Sequence, residues 1–445
     1  MKPSNRVMKS SNYNYIIPYK GKFIFFNGIT RRFFDVSAEN LHRFERVLNN
    51  PDDAYEGDVI APFLRTMKDN GFLIENDEDE QKLIKKLFHE KSTPDQYMLM
   101  ILPTYQCNLR CWYCIQEHQT VNLSDEMIQR IKKHIVKYLS VNKVRNFRLS
   151  WFGGEPLLAY SQVLDLTSFS SCYCEKNGIG FYCDVTTNSL LLTDNRIEEL
   201  HHAGVCAYQI TIDGCRKKHI LVKQSTKENT FDRALHNVLQ IVKTNPKVHC
   251  TLRINYKEDT LDPTDIMNDV NALIPPKYRP YIEIFPRKIW QVPEFEGETE
   301  KVSSLNSCAR ENTYRVECSG RGLCYVDGVH FNCIFPNGRV DKCENERLED
   351  TRGALKEDGT REWDERNPFE SHSAISAGSE CSTCRHLPFC MGPCPQRRNE
   401  MLAKGHHISC QFVDRDRTME NLIVTYCENN RPLHNQTVIY PFLSQ

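Results

Sequence analysis

The chain contains no uninterrupted apolar stretch of the roughly 20 residues needed to cross a bilayer, and its opening residues, Met1-Lys2-Pro3-Ser4-Asn5, hold no apolar export core. The expectation is a soluble, cytoplasmic protein with no membrane partner. Charge of one sign is not in excess either: Lys and Arg number 57 against 58 Asp and Glu, a net charge of −1. With no bulk positive field to hold a phosphate backbone, nucleic acid is not an expected partner. At 445 residues the chain is too long for one ordinary core and is expected to divide into two or three domains.

What is abundant is cysteine. The 20 cysteines, in a chain with no export signal, point to thiols used as ligands, because a reducing cytosol does not maintain a disulfide framework. Three of them form Cys107-x-x-x-Cys111-x-x-Cys114, directly after the apolar, strand-like run over 98–102. That spacing can wrap three thiolates around one iron–sulfur cluster while leaving a fourth iron without a protein ligand. Structural zinc asks for four closed ligands, and no fourth Cys or His stands on a matching arm, although His118 is close. A second motif, Gly153-Gly154-Glu155-Pro156, follows a strand-like run over 147–152.

The rest of the chain reads in blocks. Residues 1–95 make a small unit: alternation over 13–26 gives a hairpin with its turn at Lys20-Gly21, and Ser37 caps a helix whose stripe is Leu41, Phe44 and Val47. A second helix ends at Asn70-Gly71, before a strand over 72–74. Over 96–300, strands at 97–102, 147–152, 181–186, 207–212, 248–254 and 281–285 alternate with helices starting near Ser124, Tyr160, Thr193, Thr230 and Pro263. Such alternation predicts an α/β fold with a parallel sheet, whose chemistry gathers at the carboxyl ends of the strands. Residues 301–427 are dominated by cysteine and turn residues, show no sizeable apolar core, and are expected to take folding free energy from metal ligation. Residues 428–445 form a tail.

With Tyr113 just before the third cysteine and the Gly-Gly-Glu-Pro turn after the next strand, the sequence resembles the radical S-adenosylmethionine (radical SAM) enzymes. The resemblance implies a partial (β/α)6 TIM-like barrel over 96–300. Residues 1–95 are similar to the winged-helix-like leader-recognition unit of peptide-modifying members, whose sheet edge accepts a disordered peptide as an extra strand. Downstream, Cys318-x5-Cys324, Gly338-x4-Cys343, Cys381-x-x-Cys384-x5-Cys390-x-x-x-Cys394 and Cys410 resemble the C-terminal iron–sulfur SPASM extension. Read without the family, a C-x-x-C knuckle followed by two more cysteines equally suits tetrahedral zinc.

By the same resemblance the cofactors are S-adenosylmethionine and three 4Fe-4S clusters. One is held by Cys107, Cys111 and Cys114, one by Cys318, Cys324, Cys343 and Cys394, and one by Cys381, Cys384, Cys390 and Cys410. Cys308 or Cys333 are substitutes in the second of these sets. Gly153 and Gly154 would let the backbone approach the cofactor, Glu155 would meet the methionyl ammonium, Asn188 the ribose or carboxylate, and Tyr113 the adenine. Arg253 and Asp213 would face cofactor or substrate. Related sulfatase-maturing enzymes place an aspartate base after the corresponding cysteine. Glu344 stands there instead, a departure that turns the reading away from sulfatase maturation while leaving Glu344, with Asp213, as the candidates for acid–base work.

The activity implied is that of a peptide maturase. Reductive cleavage of S-adenosylmethionine gives a 5′-deoxyadenosyl radical, hydrogen is abstracted from a peptide residue, and a thioether or carbon–carbon crosslink forms. The partners implied are a precursor peptide with a leader segment and an external low-potential electron donor of flavodoxin or ferredoxin type. The alternatives are a formylglycine-generating sulfatase maturase and a non-catalytic, zinc-stapled peptide-binding scaffold. Deleting 1–95 is expected to weaken peptide binding and leave the clusters intact.

Overall fold

The computed structural model describes residues 7–51, 61–223, 229–317, 322–344, 352–363, 374–375, 379–412 and 414–431. The chain divides into two compact units: one made of Met1–Thr93, Cys318–Gly328 and Ser371–Gln445, the other of Pro94–Glu317 and Val329–Glu370.

In the larger unit the six expected strands form within three residues of their predicted bounds. They are β1 (Gln96–Ile101), β2 (Asn146–Trp151), β3 (Gly180–Thr187), β4 (Val205–Asp213), β5 (His249–Tyr256) and β6 (Ile282–Lys288), parallel and in chain order. The helices start where the capping residues put them. Ser124 and Thr193 accept hydrogen bonds from the backbone N–H three residues on, capping α1 (Asp125–Asn142) and α3 (Asp194–Ala203), while Asp262 caps α6 (Pro263–Leu273). Between them lie α2 (Tyr160–Asn177), α4 (Arg216–Lys223) and α5 (Thr230–Thr244). The sheet continues past the predicted six strands: β7 (Arg315–Val316) pairs with β6, while β8 (Phe331–Ile334) runs parallel to β1 and leads into antiparallel β9 (Arg339–Asp341), β10 (Gly353–Leu355) and β11 (Arg361–Trp363).

Period-2 alternation splits the six strands into two faces. Leu99, Ile101, Leu149, Trp151, Cys183, Val185, Ile210, Ile212, Leu252, Ile254 and Ile284 join one buried apolar cluster with the helices. The alternate positions of β2 to β6 include the polar residues Arg148, Ser150, Asp184, Thr211, Asp213, Arg253, Asn255 and Arg287. Arg148 Nε donates to Asp184 Oδ1 at 2.7 Å, and Ser150 Oγ donates to the same oxygen at 2.8 Å. The curved sheet therefore surrounds a polar interior that ends at the strand carboxyl termini.

The smaller unit holds the expected hairpin as an antiparallel three-stranded sheet of Asn14–Tyr19, Lys22–Asn27 and Phe33–Ser37, with Lys20 and Gly21 both at positive φ in its first turn. The helix after it, Leu41–Asn49, begins one turn later than a Ser37 cap would allow; Asn40 is the capping residue and donates to Ser37 Oγ at 3.0 Å. One face of the sheet, with Phe25 and Phe34, packs on Val47, Leu48, Met67 and Phe72. The other face, with Tyr15, Ile17, Ile24, Phe26 and Phe33, is covered by Phe389 and by Met419, Ile423, Tyr426 and Cys427 of the helix Arg415–Asn429.

This second core corrects two expectations. Residues after 380 do bury apolar side chains, but against a sheet some 350 residues earlier in the chain, which no local pattern reveals. Residues 1–95 for their part are covered on one sheet face by the C-terminal segment, so their deletion strips a core rather than removing an appendage. Phe26 is fully buried, its ring 5.3 Å from that of Phe389 and 5.8 Å from that of Tyr426. Phe26→Ala is expected to cost about 3–5 kcal/mol. It should speed amide hydrogen exchange at both 14–19 and 415–429, and a change confined to the N-terminal sheet would contradict the shared core.

Candidate functional site

The cysteine loop leaves β1 and is anchored by the turn that leaves β2. Gly154 N donates to Thr104 O at 3.1 Å and Glu155 N to Gln106 O at 2.7 Å. The approach is too close for a side chain: a Cβ on Gly154 would lie 2.0 Å from Gln106 O, and one on Gly153, already at φ +118°, would lie 2.8 Å from Thr104 O. The expected role of Gly153 and Gly154 in close backbone approach is thus exercised against the cysteine loop itself.

Glu155 is fully buried. Its carboxylate accepts from Leu157 N at 3.1 Å, capping the short helix Pro156–Ala159, and from Thr187 Oγ1 at 2.7 Å and Asn188 N at 2.9 Å. Burial raises its pKa, and those three donors oppose the rise. The bonds given to Glu155 all come from β2–β3 backbone and side chains, so it ties the ends of β2 and β3 together. Asn188 then turns toward the loop: its Nδ2 donates to Asn108 Oδ1 at 2.7 Å and lies 3.8 Å from Cys107 Sγ.

The thiols of Cys107 and Cys111 are half-buried and that of Cys114 is exposed. Leu109 N donates to Cys107 Sγ at 3.4 Å, and His118 Nε2 lies 3.3 Å from Cys114 Sγ. Burial first, then Glu155 and the two neighbouring thiols, push the Cys107 pKa up to about 11. Three thiols on one loop, close enough to perturb one another, are a donor set of the kind that holds iron–sulfur.

Tyr113 points inward. Its hydroxyl donates to Asp213 Oδ1 at 2.6 Å and accepts from Asn255 Nδ2 at 3.0 Å, while Arg253 Nε donates to Asn255 Oδ1 at 2.8 Å. Asp213 Oδ2 lies 3.0 Å from Lys223 Nζ. Asp213 N donates to His219 Nδ1, and burial, followed by the nearby Lys223 charge, drives the His219 pKa down to about 3. Lys223 and Asn255 went unnoticed in the sequence. Asn255 carried a signal, since it shares the interior face with Arg253 two residues before it. Lys223 follows a basic run that reads as a solvated helix face.

The structure thus gathers Cys107, Cys111, Cys114, Tyr113, Gly153, Gly154, Glu155, Asn188, Asp213 and Arg253 at the carboxyl ends of β1 to β5. Glu344 follows β9; Gln116 Nε2 donates to its carbonyl at 3.5 Å, and its carboxylate lies 3.8 Å from Cys343 Sγ. Of the first auxiliary set, Cys318 falls outside the described residues, Cys324 and Cys394 belong to the smaller unit and Cys343 to the larger. Cys324 and Cys394 each immediately precede a helix, and the buried ion pair of Arg398 with Asp327, 2.5 Å apart, joins those two helices. Cys333 is buried on β8 and Cys308 lies on the helix Glu298–Glu311.

The second auxiliary set is brought together entirely within the smaller unit. Cys381, Cys384, Cys390 and Cys410 line one cavity, with His386, Phe412 and Met419. His386 is held by Tyr15 Oη at 2.9 Å and Asp416 Oδ1 at 2.6 Å. Among the described residues no three His, Cys, Asp or Glu side chains converge as they would on a single metal ion. Four thiols around one cavity are a donor set of the kind that holds zinc or an iron–sulfur cluster.

The Radical SAM superfamily model matches residues 101–270. Curated relatives include molybdenum cofactor biosynthesis protein 1 of Dictyostelium discoideum, 24% identical over 261 residues, covering 57% of this chain and 38% of that protein. GTP 3′,8-cyclase of Clostridium perfringens strain SM101 is 28% identical over 152 residues, 34% of this chain and 44% of that protein. This chain therefore spans less than half the length of these two relatives. The enzyme of the same name from Clostridium botulinum strain Hall is 27% identical over 279 residues, covering 58% of this chain and 79% of that protein. Among solved structures, native anSMEcpe with bound AdoMet has a TM-score of 0.55 at 15% identity, over 75% of this chain and 97% of that one. Streptococcus suis SuiB bound to precursor peptide SuiA has a TM-score of 0.50 at 13% identity, over 91% and 100%. At these identities the structural likeness establishes the fold. Among the described residues no helix is long and apolar enough to cross a membrane.

Gly154→Ala is the sharpest test of the loop anchor. It is expected to reduce iron bound after anaerobic reconstitution by about one cluster per chain, since the added methyl cannot fit without moving the loop; unchanged iron and visible absorbance would contradict that anchoring.

Proposed function

The chain carries a radical SAM domain, and on that premise we propose that it is a peptide-modifying enzyme that crosslinks a ribosomally made precursor. Cys107, Cys111 and Cys114 would hold a 4Fe-4S cluster, which when reduced would supply the electron for cleaving S-adenosylmethionine and so the radical chemistry that removes a hydrogen atom from a peptide carbon. The chain's own residues position and enclose. Gly153 and Gly154 hold the loop against the β2 turn, Asn188 stands beside Cys107, and Arg253 and Asn255 present polar groups from the interior face. Glu344, beside Cys343, is the acid–base candidate. Cys318, Cys324, Cys343 and Cys394 are assigned to one auxiliary cluster, and Cys381, Cys384, Cys390 and Cys410 to another. Clusters held there would accept the electron released as the thioether or carbon–carbon bond closes, with the proton leaving to a base such as Glu344.

The observation that carries this reading is the four-cysteine cavity outside the matched domain, in the same unit as a small antiparallel sheet. Such a sheet suits a leader peptide added as a strand, because main-chain pairing accepts a segment that is disordered until bound. The likeness in fold to SuiB in its complex with a precursor peptide supports the same substrate class. An external low-potential flavodoxin or ferredoxin would deliver the first electron.

A second reading takes the GTP 3′,8-cyclases as its guide, with a nucleotide in the polar interior near Arg253 and Arg287. Anaerobic incubation with S-adenosylmethionine and either GTP or a candidate precursor peptide separates the two. A peptide lighter by two hydrogens per link supports crosslinking, and a cyclised nucleotide product with unmodified peptide overturns it. Cys111→Ala is expected to abolish 5′-deoxyadenosine formation. Cys390→Ala should retain uncoupled cleavage and lose peptide modification; equal loss of 5′-deoxyadenosine in both folded variants would contradict the division of labour.

A further inference from the structure

Lys223 is a lysine with almost no access to water, 3% exposed, at the end of α4. An isolated ammonium there would be costly, and it is balanced by Asp213 Oδ2 at 3.0 Å, with Thr211 Oγ1 accepting at 3.1 Å. Burial opposes the charge, but Asp213, then Tyr113 and Cys111, outweigh it and hold the Lys223 pKa above its ordinary value. The carboxylate it balances is the one that receives the Tyr113 hydroxyl at 2.6 Å. Tyr113 lies between Cys111 and Cys114, and the same hydroxyl accepts from Asn255, which is held in turn by Arg253. Two further bonds clamp the loop from outside this chain of side chains: Arg110 N to Lys223 O at 3.4 Å, and Gln291 Nε2 to Tyr113 O at 2.7 Å.

We propose that Lys223 is a positioning residue: by neutralising Asp213 it keeps Tyr113 docked on β4 and β5, and so holds the Cys111 to Cys114 half of the cysteine loop in place. The inference rests on the radical SAM reading for its consequence, S-adenosylmethionine binding, but not for its geometry. The role needs no contact of Lys223 with cofactor or peptide, since it acts through its ion pair with Asp213. Without the charge, Asp213 is left as a buried carboxylate with no counter-ion, and the side chain that accepts from Tyr113 is no longer held in place. The Gly-Gly anchor holds only the Thr104 to Gln106 end of the loop, so nothing in that turn substitutes for this second attachment.

A double-mutant cycle separates positioning from direct contact. In Lys223→Met, amide exchange across 107–114 in the metal-free protein should quicken, and S-adenosylmethionine affinity of the reconstituted protein should fall, each by at least about tenfold, the scale of one lost charge-assisted hydrogen bond. Lys223→Arg should preserve both. Lys223→Met combined with Asp213→Asn removes the stranded charge while keeping an acceptor for Tyr113, and should restore the slow exchange across 107–114. A double variant as impaired as Lys223→Met, or loop exchange unchanged in Lys223→Met, overturns the proposal. Wild-type protein that reconstitutes no cluster would instead sink the functional reading, while the exchange measurement would still decide the role of Lys223.

Discussion

The candidate site depends on two backbone segments lying closer than any side chain would permit. The turn after β2 donates its N–H groups to the carbonyls of Thr104 and Gln106, and the Gly154 position cannot hold even a methyl group. That contact converts two strand ends into one platform. The cysteine loop begins from a fixed point, Glu155 is carried inward to brace β3, and Asn188 is brought beside Cys107. Buried Glu155 is stable there because it receives three internal donors, and the bonds that satisfy it are the same bonds that align the strands.

The interior of the sheet serves a second purpose. Parallel sheets are usually apolar on both faces, yet here the inner positions of β2 to β6 carry Arg148, Asp184, Asp213, Arg253, Asn255 and Arg287. Arg148 bonds across to Asp184 on the next strand, while Asp213 and Asn255 bond to Tyr113 of the cysteine loop, so polarity in this face has a structural role. A polar lining that is already internally paired can exchange some of those bonds for a ligand without leaving charges stranded. That property suits a space occupied in turn by different molecules.

Much of this was legible in the sequence, and for identifiable reasons. Strands announced themselves because their outer positions alternate, and helix starts because Ser124, Thr193 and Asp262 can accept from their own first turns. The cysteine and glycine motifs are contiguous, so spacing alone located the loop and its anchor. Glu155 has a second role that its charge did not announce: its place before Pro156 makes it a helix cap. Lys223 was hidden because its partner is on a different element and its neighbours, Arg216, Lys217 and Lys218, look like an ordinary solvated face. The core beneath the cysteine-rich segment was hidden for a topological reason. Its aromatic half is at the other end of the chain, and periodicity carries no information about which faces meet.

That last point bears on how the smaller unit is built. Its four-cysteine cavity is lined by His386, whose ring is fixed by Tyr15 from the N-terminal sheet, and Arg385 Nη2 donates to Asn14 O at 2.8 Å. Phe389, between the third cavity cysteine and His386, inserts against Phe26. The segment that bears the thiols is thus shaped by the sheet it covers, and the sheet is closed by that segment. Whatever stabilises one stabilises the other, since coupling between two sites in one cooperative body is reciprocal. The packing of Phe26 on Phe389 and of Tyr15 on His386 is where that mutual dependence is made.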